Sequence, residues 1–206
     1  MAFGQRRTFS RIEIQHLLIA WLALGLAFSI SMSGGLTINN LGLFVKNFII
    51  SLLTLGTGFI GHELTHKFVA QRYGCLAEFR MWPLGLIFAL FFALTLGVVF
   101  AAPGAVYITP VSFGLGSVIT NRENGIISLS GPLTNALIAL IFFPLTFYNG
   151  LLFEIGFLGF YINLFLAAFN LIPFPPMDGY KVFVWNKGIW AIVAIPLWAI
   201  VIFLMY

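Results

Sequence analysis

The apolar positions of this chain come in long runs with few interruptions, not in the strict alternation of half-buried strands. Six runs cover about 14–32, 44–71, 84–102, 126–147, 151–172 and 189 to the C-terminus. Each is near or above the ~20 residues with which a helix crosses the hydrocarbon core of a bilayer. Short polar or Gly/Pro-rich connections, such as SGGLTINN and FYNG, separate them, and there is no internal repeat or low-complexity tract. The pattern predicts an all-α polytopic membrane protein with five to six transmembrane helices.

Composition agrees and removes the main competitor. Hydrophobic residues make up 61% of the chain and charged residues 8%, whereas soluble domains carry about 25% charged residues. With 206 residues and few long polar stretches, a single domain, 1–206, is expected. The N-terminal MAFGQRRTFSRIEIQ partly resembles a signal sequence but lacks a convincing small-residue cleavage site, so a retained first span is predicted. Cys75 is the single cysteine, which excludes an intramolecular disulfide and a multi-cysteine zinc site. It reads as a small structural residue just past a helix end.

The ten Lys and Arg outnumber six acids, for a net charge of +4. They lie beside the apolar runs instead of in one cluster, which argues against a nucleic-acid partner and makes them markers of orientation. Arg6, Arg7 and Arg11 put the N-terminus in the cytoplasm. The second run then ends inside, followed by Lys67, Arg72 and Arg80, and Arg122, Lys181 and Lys187 belong on that side too. These placements agree only if the chain crosses an even number of times between Arg80 and Arg122, where one apolar run lies. That run follows Pro83, contains Gly85 and Gly97 and leads into AAPGAV. A re-entrant or broken segment near 84–102 is therefore predicted, a form tolerated at membrane depth when buried in protein or lining a wet cavity. A sixth full helix is the alternative, since the length suits a span. With the re-entrant form, Lys46 alone of the ten basic residues falls on the outer side.

The second run ends in GTGFIGHELTHKFVAQRYG. His62 and His66 are four residues apart, which puts both imidazoles on one helix face, and Glu63 is beside them. Zinc hydrolysis needs this spacing: two neutral imidazole ligands and an adjacent carboxylate as general base. A lone His in an apolar helix reads as a hydrogen-bonded packing residue. Three ionisable groups together inside a membrane segment read as functional, because they are costly there.

A catalytic zinc takes three protein ligands and leaves the fourth position to water. Outside the motif the candidates are His16, Glu13, Glu78, Glu123, Glu154, Asp178 and Cys75. Glu13 and His16, at the mouth of the first run, read as interfacial. Glu78 and Glu123 sit beside arginines and read as solvated, and Glu154 falls at the outer turn. Asp178, the only aspartate, lies in FNLIPFPPMDGY. It ends a run that passes from outside to inside, and so arrives at the depth of the two histidines.

GHELTH followed by NLIPFPPMDG resembles the site-2 protease family of intramembrane zinc metalloproteases. That family joins HExxH on one membrane helix to Asn-x-x-Pro-x-Pro-x-x-Asp-Gly on a later one. Asn170, Pro173, Pro175, Asp178 and Gly179 match position by position, and SGPLTN at 130–135 resembles a glycine-proline element on an intervening helix. The resemblance covers about 44–187. It implies that His62, His66 and Asp178 hold one zinc ion per chain, that Glu63 activates the zinc-bound water, and that Asn170 helps bind the substrate backbone or the developing oxyanion. It implies cleavage of membrane-spanning protein substrates, as in regulated intramembrane proteolysis, by an integral protein of the bilayer with N-terminus and active site toward the cytoplasm. Two departures are Thr65, where a smaller residue is frequent, and the lack of a PDZ-like module, which leaves substrate selection unexplained.

An embedded site needs a wet path. Asn163 and Asn170, seven residues apart, share a helix face; helix–helix hydrogen bonding is the simpler reading of Asn163. Pro173, Pro175 and Pro176 prevent regular helix before Asp178. The unwound chain there, or the segment 84–102, suggests a hypothesis of strand-like pairing with an unwound substrate. Three other functions remain open. A membrane zinc protease with a glutamate third ligand lacks a suitable Glu after the motif. A transporter using His62, Glu63 and His66 as a relay gives no reason for Asp178 in its Pro/Gly-rich turn. An inactive relative would have little use for a full ligand set plus Glu63.

Overall fold

The computed structural model of the protein describes residues 9–35, 40–99, 102–110 and 119–205. Arg6 and Arg7, which bear on the predicted orientation of the N-terminus, lie outside the described residues. The elements follow in the order α1 (Arg11–Met32), α2 (Leu41–Arg72), β1 (Cys75–Met81), α3 (Pro83–Leu96), β2 (Gly104–Pro110), α4 (Asn121–Phe142), α5 (Leu151–Asn170), α6 (Asp178–Trp185) and α7 (Lys187–Met205). A 3-10 turn at Phe143–Phe147 extends α4. Five of these helices, α1, α2, α4 with its extension, α5 and α7, are long and apolar enough to cross a membrane.

The helices begin where the sequence supplies side-chain acceptors for the N–H groups a helix start leaves open. Ser10 accepts from the Glu13 N–H at 3.0 Å and Asn40 from the Leu43 N–H at 2.9 Å. Thr120 and Glu123 cap α4 reciprocally. Glu123 thus has a local task that a solvated-charge reading misses.

The 32-residue α2 is central, in contact with α1, α4, α5 and both strands. At 1.5 Å per residue it is about 48 Å long, well over the ~30 Å hydrocarbon core. One buried cluster joins Leu17 and Leu24 of α1, Leu55 and Phe59 of α2, Phe79 of β1, Leu86 of α3 and Ile162 of α5. A second joins α4, α5 and α7 around Ala139, Leu164, Ala167 and Leu197. Lipid tails are as apolar as Leu, so helix association in a bilayer relies on close packing and interhelical hydrogen bonds. Fully buried Ala27, Ala89 and Ala93 supply the close approach between α1 and α3.

The two strands are what the helical pattern does not predict. They pair antiparallel from Cys75↔Pro110 to Met81↔Gly104, and the Trp82 N–H donates to the Pro103 carbonyl at 2.9 Å just beyond. Between them α3 has 14 residues, about 21 Å of helix and too short for the hydrocarbon core. Gly97, at φ +67°, ends it. The paired strands hold both ends of this segment together, as the expected re-entrant or broken form requires, and the segment contains no sixth helix of membrane length.

Candidate metal centre

His62 and His66 stand one turn apart on α2, each 7% exposed. Carbonyl oxygens of α4 hold both rings by Nδ1: His62 to Asn135 Oδ1 at 2.6 Å, and His66 to the Ile127 carbonyl at 2.8 Å. The Asn135 amide is itself fixed. Its Nδ2 donates to the Gly58 carbonyl at 3.1 Å and to Asn163 Oδ1 at 3.0 Å, which leaves the oxygen for histidine. An oxygen acceptor at each Nδ1 puts the hydrogen there. Both Nε2 atoms therefore turn lone pairs inward.

Asp178 brings a third donor to the same point. Its Oδ2 lies 2.9 Å from His66 Nε2 and 3.3 Å from His62 Nε2, and the two nitrogens are 2.9 Å apart. Three electron-rich atoms this close repel unless a cation lies among them. A proton would serve one pair; a divalent ion serves all three. Zinc ligands at about 2.0–2.1 Å in tetrahedral array are separated by about 3.3–3.4 Å, close to the spacing found. Gly131 of α4 backs the cluster, where a Cβ would lie 2.5 Å from His66 Nε2 and 2.7 Å from His62 Cε1. The donor set and the room around it fit the metal.

Asp178 owes its place to the end of α5. The proline-rich turn follows Asn170, and two indoles of α7 take up carbonyls there: Trp198 Nε1 donates to Ala168 O at 2.7 Å and Trp190 Nε1 to Leu171 O at 2.9 Å. A Cβ on Gly179 would collide with the Leu171 backbone, so glycine lets α6 start against this point. Asp178 is the first residue of α6, outside the five spans. Its carboxylate would offer a metal an anionic oxygen beside the two neutral imidazoles. Lys181, one turn on, reaches back to Oδ1 at 3.5 Å.

Glu63 is buried in this region, where α2 packs against β2 beside Val106. Its Oε2 is buried without a hydrogen-bond partner, an orphan oxygen that a water at the metal would satisfy. Asn170 is not brought into the cluster: its Nδ2 donates to the Leu166 carbonyl at 2.9 Å, in its own helix. Asn163 is fully buried and hydrogen-bonds to the carbonyls of Thr54 at 3.3 Å and Gly159 at 2.8 Å, besides Asn135, so it joins helices instead of lining a path.

The other candidates are used elsewhere. Glu13 is not interfacial; it is fully buried and paired with Lys67, which is equally not a free marker of orientation. Glu78 pairs with Arg80 at 2.6 Å, and Glu154 with Lys46 at 2.8 Å. Cys75 opens β1 and is buried; burial and the Glu123 carboxylate push its thiol up, so it is inert. Sequence reasoning leaves Asn135 without a role although it stands in SGPLTN, where an amide within an apolar helix is the available signal. The Ile127 carbonyl has no sequence signal, because every residue has one.

A protein of Methanocaldococcus jannaschii named "Putative zinc metalloprotease" is 46% identical over 201 residues, covering 96% of this chain and 97% of that one. The chain belongs to that zinc metalloprotease family. No family model matches the chain, and no solved structure matches it. A zinc metalloprotease with five membrane-length helices is a membrane-associated one, and the cluster of His62, His66 and Asp178, with ligand atoms within 4.8 Å of one another, is where such a metal fits.

Proposed function

We propose that the chain is an intramembrane zinc metalloprotease of the site-2 protease type, hydrolysing peptide bonds of membrane-spanning protein substrates. One observation carries this: with both Nδ1 hydrogens committed to carbonyl oxygens, His62 Nε2, His66 Nε2 and Asp178 Oδ2 face one another at 2.9–3.3 Å with no hydrogen to share. His62, His66 and Asp178 would hold one zinc ion. When bound, it supplies Lewis acidity toward a carbonyl and a water ionised near neutral pH. Glu63 takes the water's proton on Oε2, the oxygen without a partner, and passes it to the leaving amide nitrogen. Asn135 and the Ile127 carbonyl keep the imidazoles aimed. Asn170 retains one amide hydrogen beyond the one given to Leu166, and we assign it to the substrate backbone.

The sheet supports a binding mode. On β1, the N–H groups of Phe79 and Met81 point at Glu13 and His16 in α1. Phe79 and Met81 are therefore non-hydrogen-bonded partners of Val106 and Gly104, whose backbone groups turn away from β1. Val106 lies beside Glu63. A peptide unwound from its own helix and added to this edge of β2 would run past Glu63, its main chain supplying the hydrogen bonds. The basic residues beside the spans support a site facing the cytoplasm, and the shared core supports one domain over 1–206.

The test is zinc per chain in detergent-purified protein, followed by cleavage of single-span substrates. About one zinc is expected in wild type and much less in Asp178→Ala. Glu63→Gln should keep its zinc and cleave nothing. A folded, metal-reconstituted wild type without zinc would sink the proposal.

A further inference from the structure

A second group of buried charges takes no part in hydrolysis. Glu13 and Lys67 side chains are 0% and 2% exposed, and Lys67 Nζ donates to Glu13 Oε2. The ammonium also lies 4.2 Å over the Phe9 ring. The other carboxylate oxygen, Oε1, accepts the Phe79 N–H of β1 at 3.1 Å. One turn along α1, His16 Nδ1 accepts the Met81 N–H at 3.4 Å. Glu13 and His16 thus take two successive outward N–H groups of β1, as a third strand would. Among the described residues this covers the Phe79–Met81 end of the β1 edge, while β2 lies beside Glu63 at Val106.

Stability does not explain such a pair. A buried ion pair is costly to desolvate, and well-packed apolar residues of similar volume often serve the fold as well or better. What it fixes is geometry. Lys67 directly follows His66, so the Glu13 carboxylate ties β1 to the turn of α2 that carries the metal-site histidines, and β1 in turn carries β2 through the Phe79↔Val106 register.

We propose that Glu13 is a positioning residue for substrate binding. Clamped by Lys67, it holds the sheet so that the open edge of β2 stays beside Glu63; this role rests on the protease reading above. It acts on docking of the peptide main chain, which precedes chemistry. Its loss therefore weakens binding in ground and transition state alike, raising KM with little change in kcat.

The test compares two double variants. Glu13→Leu with Lys67→Met keeps the volume and removes the acceptor of the Phe79 N–H. Glu13→Gln with Lys67→Met keeps an acceptor oxygen and removes both charges. The probe is a lysine-flanked Leu/Ala peptide with about 20 apolar residues, enough for one span, one Asn-Pro break and a fluorophore–quencher pair. With zinc content equal to wild type, the Leu/Met variant should raise KM about tenfold with kcat within about twofold, a factor worth ~1.4 kcal/mol. Hydrogen exchange at Phe79 should quicken, and the Gln/Met variant should return both readouts to near wild type. Unchanged KM and exchange in the Leu/Met variant, or no rescue by Gln/Met, overturns the proposal. If the Leu/Met variant does not fold, His16→Leu takes its place; a KM rise of about threefold with faster exchange at Met81 supports the proposal, and wild-type values overturn it. A zinc-loaded wild type that cuts no single-span peptide defeats the protease reading instead, and the exchange comparison still decides whether Glu13 sets the sheet.

Discussion

Asn135 selects which nitrogen of His62 is free. Its oxygen faces Nδ1 because its Nδ2 is spent on Gly58 and Asn163. Interhelical hydrogen bonds in membranes average about 0.6 kcal/mol and reach ~1.7, whereas loss of a partner behind a metal-ligating His costs ~10–100-fold in metal affinity. Aim, not stability, is therefore the larger effect. Asn135→Ala should weaken zinc binding about 10–100-fold, measured by competition with a chromogenic chelator, while the helix content stays that of wild type. An unaltered affinity would mean that packing alone orients the ring. At this scale HExxH is legible because four-residue spacing is a local property of one helix. The partners of its rings are not, since they come from residues 73 and 61 positions away.

At the scale of elements, α3 is the informative piece. Its run of apolar residues promises a span, but Gly97 stops the helix after 14 residues and the flanking strands tie its ends together. The prediction concerns sidedness. In a Cys75→Ser background, single cysteines replacing exposed Trp82 and Ala105 should react with a membrane-impermeant maleimide from the same face of sealed vesicles. Labelling from opposite faces would restore the full sixth helix. The absence of a full span here can be read from charge placement and Pro/Gly content, because both constrain local backbone and topology. The pairing of the strands cannot: VYIT is rich in strand formers but CLAEFRM is not, and the ladder exists only once residues 23 to 35 apart in the chain meet.

For the molecule as a whole, the metal cluster joins α2 to α6 across 112 residues of chain. A ligand that binds only the folded state stabilises it by about 4 kcal/mol at a thousandfold excess over its Kd. Stripping zinc should therefore lower the thermal midpoint of wild type in detergent, reversibly on re-addition, and leave Asp178→Ala indifferent to chelator. Equal midpoints with and without zinc would show that Trp190 and Trp198 hold the end of α5, and α6 with it, unaided. The sequence by itself determined a membrane protein of five to six spans, the paired histidines with Glu63, and Asp178 as their partner, because hydrophobic runs, helical periodicity and a proline-rich turn are all local. Only the tertiary structure decided that Glu13 and Lys67 are buried together, that Asn135 backs His62, and that β2 lies against Glu63. Those facts depend on which buried polar groups meet across the bundle, and a buried polar group finds its partner wherever the fold brings one within hydrogen-bond reach.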